Sequence, residues 1–176
     1  MKKLIFVIDM LNGFTKKGNL ASKRIKKLIP RISRHMQQNS EFDNIFFCDA
    51  HTESDLEMFS YPLHCLKNTP ESEIVSELVG FAKTIIKKNT TNAFLKLENK
   101  EFLDSYNEFE IIGCCTDICI LQFALNLKTY FNSKNMDKNV IVYKKLVNTF
   151  DSKNHKGNKF HKFALKLMEN SGILIK

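Results

Sequence analysis

Short apolar runs, separated by longer stretches with helical spacing, organise this chain. Leu4 to Ile8 ends at Asp9, Asn44 to Cys48 ends at Asp49, and Lys83 to Ile86 leads into Lys87 and Lys88. Further runs cover Glu110 to Gly113, Val140 to Tyr143 and Gly172 to Ile175. Runs this short, bounded by charged residues or glycine, predict strands. Between them, Ser22 to Met36 places Ile25, Leu28, Ile29 and Ile32 at helical spacing, and Thr116 to Phe131 and Asn158 to Glu169 carry similar stripes. Strand and helix alternate, and parallel strands need crossover connections. The expected fold is therefore α/β: a three-layer α-β-α, Rossmann-like, largely parallel sheet of about six strands with helices on both faces. No repeat or low-complexity linker interrupts the pattern, and 176 residues with 43% hydrophobic content suit a single domain over 1–176.

Composition narrows the setting. The five cysteines, Cys48, Cys65, Cys114, Cys115 and Cys119, make an odd count without the spacing of a disulfide framework or a secretory leader, so a reducing, cytoplasmic location is expected. No apolar run approaches the ~18 residues of a membrane span, and no membrane partner is expected. The net charge of +8 raises the question of nucleic acid. The densest basic group, Lys16, Lys17, Lys23, Arg24, Lys26, Lys27, Arg31 and Arg34, would decorate a solvated helix face. No aromatic-plus-basic motif accompanies it, so no nucleic acid partner is expected.

Asp9, Asp49, Lys88 and the segment Cys115 to Cys119 all fall at strand ends, where open α/β sheets bind ligands. Thr116 or Asp117 offers a cap for a helix from Ile118 to Tyr130, which would put Cys119 at the positive end and lower its thiol pKa. A packing cysteine is the competing reading. Asp9, at the edge of a buried strand, is either a base toward a thiol, its pKa raised by partial burial, or a turn aspartate accepting backbone bonds. Lys88 is a solvated lysine, or a charge that orients an acid and favours a thiolate. Asp49 and His51 project to one side of an extended backbone. With Glu57 and His64 they form a mixed N/O set that suits zinc, manganese or iron better than calcium. Hydrogen-bonded loop histidines are the alternative.

Taken in order, Asp9, the Asp49/His51, Glu57 and His64 cluster, Lys88 in Lys-Asn-Thr-Thr-Asn-Ala-Phe, and Cys119 in Gly-Cys-Cys-Thr-Asp-Ile-Cys resemble the isochorismatase-like cysteine hydrolases. The stretch His64 to Glu73 is similar to the nicotinamidases among them. The resemblance implies Cys119 as nucleophile, Asp9 as its base and Lys88 as third member of a triad. It implies backbone N–H groups of Cys115 and Cys119 as an oxyanion hole and a cis peptide bond between Cys115 and Thr116. Asp49, His51, Glu57 and His64 would hold one divalent metal ion, with zinc favoured over manganese or iron. Phe14, Tyr61 and Phe94 would wall the substrate ring. The implied activity is hydrolysis of nicotinamide to nicotinate and ammonia through a cysteine thioester, in NAD salvage. The partner is then a small-molecule amide, and relatives often form homo-oligomers. Another amidohydrolase acting on a different small amide and a non-catalytic α/β binding module are the alternatives.

The chain departs from the family at several places. Leu11 stands where many relatives carry Gln, Gly13 where they often carry Asp, Leu63 within a usual Pro-Pro-His-Cys, and Asn68 at a common Gly. Asn tolerates the left-handed conformation, so the last change is mild. Glu57 is His in some relatives, which bears on metal preference.

Overall fold

A computed structural model describes residues 2–176. Six parallel strands, β1 (Lys3–Ile8), β2 (Asp43–Asp49), β3 (Thr84–Lys88), β4 (Glu108–Cys114), β5 (Asn139–Asn148) and β6 (Leu174–Ile175), form one sheet in the order β3-β2-β1-β4-β5-β6. Alternate residues of β1 serve two cores. Leu4, Phe6 and Ile8 join the cluster on one face, Ile5 and Val7 that on the other. A strand covered on both sides needs apolar residues throughout, which is why Leu4 to Ile8 is a continuous run.

On one face lie α1 (Asn12–Thr15), α2 (Lys23–Lys26), α3 (Ile29–Gln38) and α4 (Ser76–Val79); on the other lie α5 (Leu121–Ser133) and α6 (Gly157–Asn170). The aromatic centre of the second face is Phe6, 4.7 Å edge-on to Phe123 of α5 and 6.0 Å from Phe47 of β2. Truncating such a buried ring costs about 3–5 kcal/mol, so Phe6 ties β1 to the helix that follows the Thr116–Ile120 turn.

Three boundaries differ from expectation. The stretch Ser22 to Met36 is two helices broken at Lys27 and Leu28, because Pro30 sits in the first turn of α3, where its missing N–H is tolerated and its ring disfavours continuation from before. Strand β5 runs on to Asn148, with its register to β4 shifted between Ile111 and Gly113. Thr116–Ile120 is a π-helical turn leading into α5, instead of the capped α-helical start expected.

Chain order sets the position of the site. From β1 the chain steps outward to β2 and β3, then returns to place β4 on the other side of β1. The crevice beyond the carboxyl ends of β1 and β4 is thus the switch point where ligands bind in open α/β sheets. The two strands approach closely there: a Cβ on Gly113 (φ 118°) would meet the Ile8 carbonyl oxygen at 2.1 Å, so only glycine fits.

Candidate active site

Asp9, the residue after β1, takes a left-handed conformation (φ 53°), and its Oδ1 accepts a hydrogen bond from the Asp49 N–H at 3.1 Å. Lys88, the last residue of β3, reaches across β2 between two carboxylates. Its Nζ lies 2.8 Å from Asp9 Oδ2 and donates to Asp49 Oδ1 at 2.5 Å. The Asp9 contact is an ion pair without hydrogen-bond alignment. All three side chains are buried. Lys88 is therefore no solvated lysine: burial opposes its charge, but Asp49, Asp9 and Cys119 outweigh it and hold the ammonium well above its usual pKa.

The same surroundings treat the two acids differently. Burial, then the neighbouring Asp49 charge, push Asp9 up to about 6, with Lys88 only partly offsetting them. Burial also pushes Asp49 up, but the Lys88 charge and its aligned hydrogen bond overcome it and hold that carboxyl well below its usual range.

Cys119, in the π-helical turn, is 6% exposed and interacts through its thiol with the Asp9 carboxylate. The sequence-level expectation of a lowered pKa fails here. Burial pushes the thiol well above its usual value, and Lys88 opposes this without reversing it. The thiol thus keeps its proton at rest and needs an adjacent base to lose it. Cys114 packs in the core and donates its S–H to the Asp9 carbonyl at 3.1 Å. The cis peptide bond joins Cys114 to Cys115, one residue before the expected place. The Cys115 carbonyl accepts from the N–H groups of Ile118 and Ile120, which anchors the turn to the end of β4.

Beyond Asp49, the chain carries His51 into register with the loop 62–68. His51 N–H donates to the Cys65 carbonyl at 3.1 Å and Lys67 N–H to the His51 carbonyl at 2.7 Å. Positive φ at Cys65 (44°) and Asn68 (63°) turns this loop back toward β2. A Cβ on Gly13 would lie 2.6 Å from Cys65 Sγ, so glycine is what lets α1 pack on that loop. Candidate ligand atoms of Asp49, His51 and His64 then all lie within 4.8 Å of one another. His51 Nδ1 faces Asp55 Oδ2 at 3.3 Å and His64 Nδ1 faces the Pro62 carbonyl at 2.7 Å. With Nδ1 donating in each ring, both Nε2 lone pairs turn toward Asp49, at 3.5 and 3.7 Å from its oxygens. His51 Nε2 is buried with no hydrogen-bond partner. An orphaned imidazole nitrogen beside a second imidazole and an ionised carboxylate fits a divalent cation with coordination positions left open.

Glu57 stands apart from this group. Its Oε1 accepts from Thr90 Oγ1 (2.9 Å), Thr91 N–H (2.8 Å) and Thr91 Oγ1 (3.2 Å), so three donors hold it away from the cluster. The expected four-ligand set becomes three.

The cleft above Cys119 is narrow, with a cavity volume of about 40 Å³. Phe14, Leu20, Tyr61, Ile118 and Phe150 supply its apolar wall, with Asp49 and His64 at the metal side. Phe14 and Tyr61 line this cleft. Phe94 does not: its buried ring packs under α5 against Phe123 and Tyr130, at 6.1 and 5.8 Å. Leu20, Ile118 and Phe150 escaped the sequence reading because an apolar residue carries no sign of facing a cleft instead of a core. The isochorismatase domain family matches residues 3–174.

The chain belongs to the isochorismatase family. Its family makes it an amidohydrolase enzyme. Nicotinamidase 1 of Arabidopsis thaliana is 26% identical over 96% of this chain and 80% of the relative. The pyrazinamidase of Pyrococcus horikoshii, solved in complex with zinc, shares the fold with a TM-score of 0.77 at 21% identity, covering 100% of this chain and 99% of that one. PnC1 from L. infantum, solved in complex with nicotinate, superposes with a TM-score of 0.82 at 16% identity over 99% and 92% of the two chains. Among the described residues, no helix of this isochorismatase-family protein is long and apolar enough to cross a membrane.

Proposed function

We propose that this protein is a nicotinamidase, hydrolysing nicotinamide to nicotinate and ammonia through a thioester on Cys119 and serving NAD salvage. The observation that carries the reading is Lys88 shared between two buried carboxylates, one beside the buried thiol and the other beside two imidazoles. That arrangement joins a thiol hydrolysis centre to a cation site in one aromatic-walled cleft. The name of the Arabidopsis relative and the nicotinate in the L. infantum structure agree with it.

Asp9, ionised, takes the proton of Cys119 as sulfur attacks the carboxamide carbon; the C–S bond forms and the carbonyl pair moves to oxygen. Backbone N–H groups of Cys115 and Cys119 receive that oxyanion. The C–N bond then breaks, Asp9 gives its proton to the nitrogen, and ammonia leaves a thioester. Asp9 next takes a proton from water as the oxygen adds to the thioester carbon. Cleavage of the C–S bond frees nicotinate, and sulfur recovers the proton from Asp9. Lys88 stays cationic throughout and holds Asp9 toward sulfur. A divalent cation on Asp49, His51 and His64, with zinc favoured over manganese or iron, would supply a Lewis acid for the pyridine nitrogen and so orient the ring.

Ammonia release from nicotinamide tests the reading. Metal-replete wild type should turn it over, and Cys119→Ala should lose at least about 10³-fold in kcat. Wild type inert on nicotinamide but active on another small amide would reassign the substrate, and inertness toward both would reject the amidase reading.

A further inference from the structure

The C-terminal segment grips the nucleophile turn at both of its polar residues. His161, on α6, places Nδ1 2.9 Å from Thr116 Oγ1, and His155, in the loop before α6, places Nε2 2.6 Å from Asp117 Oδ2. The other nitrogen of His155, Nδ1, lies 3.0 Å from the Phe150 carbonyl oxygen. A carboxylate and a carbonyl only accept, so a ring nitrogen is the donor at each contact. The ring is stacked between Phe150 and Phe160, each ring centroid 4.1 Å away at 13° and 23°. Asp117 stands two residues before Cys119. Its Oδ1 is buried without a hydrogen-bond partner, and among the described residues His155 is its one ion-pair partner. Phe150 is itself part of the cleft wall.

We propose that His155 is a positioning residue, a single ring that fixes the nucleophile turn through Asp117 and the substrate wall through Phe150. It sets the spacing between the attacking sulfur and the surface that seats the substrate. The proposal rests on Cys119 being the nucleophile of an amide hydrolase. Its two contacts separate by substitution. His155→Phe keeps the stack on Phe150 and Phe160 but removes the donors to Asp117 and the Phe150 carbonyl; His155→Gln keeps an amide donor and loses the stack.

For His155→Phe, kcat on nicotinamide should fall about 10-fold or more with KM within about twofold of wild type, since sub-ångström misplacement of a reacting group is enough for such a loss. For His155→Gln the larger change should be a rise in KM. Asp117→Asn, which still accepts from the ring, should be milder than His155→Phe, and the double variant no worse than His155→Phe alone. The rate of iodoacetamide alkylation at Cys119, located by peptide mass spectrometry, should fall with kcat in His155→Phe. If wild type fails on nicotinamide while this alkylation difference persists, the substrate reading fails and the positioning role stands. If nicotinamide is turned over and kcat, KM and alkylation in both His155 variants stay within about twofold of wild type, the positioning role is overturned. Should His155→Phe not fold, the double variant, which neutralises the buried carboxylate as well, takes its place under the same criteria.

Discussion

Asp9 and Asp49 are the same residue type at the ends of adjacent strands, both buried and both facing the same lysine, yet they sit on opposite sides of the ordinary carboxylate range. Burial is the largest influence on both and pushes both upward. What separates them is how each meets the lysine. Asp49 accepts an aligned hydrogen bond from Lys88, while Asp9 has one backbone N–H, an unaligned lysine contact and the repulsion of Asp49 itself. A dry pocket therefore does not assign one role to its acids. The well-partnered one stays an anion suited to holding a cation, and the under-partnered one is poised near neutrality, where a general base works best.

Removing the shared cation should have the largest effect. Lys88→Met leaves two buried carboxylates facing each other, a loss of about 3–5 kcal/mol or more by analogy with broken buried ion pairs. Urea unfolding should show a protein barely folded or unfolded at pH 7, and adding Asp9→Asn should restore part of the stability without activity. Wild-type stability in Lys88→Met would mean the lysine does not balance these charges.

Asp9→Asn should cut kcat/KM by about 10²–10⁴-fold, the usual contribution of a general base, while leaving the fold intact. Its stability effect has a definite sign. Asp9 titrates at about 6 in the folded protein, against ~3.9 when unfolded. The folded state thus holds the proton more tightly. This contribution is fully present below about pH 4 and is lost as pH rises through 6, a change of about 2–3 kcal/mol. Asparagine cannot ionise, so in metal-free protein the variant should gain on wild type between pH 4 and 6 and hold that gain above. A flat difference across that window, measured by urea midpoints, would remove the poised base.

The contrast between these acids was only half legible in the sequence. Strands covered on both faces write themselves as unbroken apolar runs, so Leu4 to Ile8, and with it the place of Asp9, could be read directly. The state of each side chain depends on partners brought by other strands. Cys119 shows this clearly: its local position suggests a dipole-lowered thiol, and burial reverses the sign. Thr116 and Asp117 look like helix caps, but histidines 45 and 38 residues away claim their side chains. Phe94 was placed at the substrate wall by the family resemblance and is turned into the core by Phe123 and Tyr130. Arg24, one of a row of solvated basic residues by composition, instead ties α2 to the Thr149 carbonyl and the Asn148 side chain at the rim of the cleft.

Glu57 sharpens the comparison from the other side, because it is an acid near two histidines in sequence whose bonding differs from that of Asp49. Its Oε1 is satisfied by Thr90 and Thr91, whereas the oxygens of Asp49 face two free Nε2 lone pairs. Chelator competition with zinc should therefore rank three substitutions. His51→Ala should abolish tight binding, since it removes the orphaned nitrogen. Asp55→Ala should weaken it about 10–100-fold, because Asp55 fixes the ring orientation of His51 without touching the ion. Glu57→Ala should leave affinity unchanged while loosening the Thr90 to Thr91 segment. If Glu57→Ala instead costs as much as His51→Ala, the carboxylate must abandon three hydrogen bonds to reach the ion. Cation binding would then reorder the cleft beside Thr91, and the four-ligand set implied by the family resemblance would hold in the loaded protein.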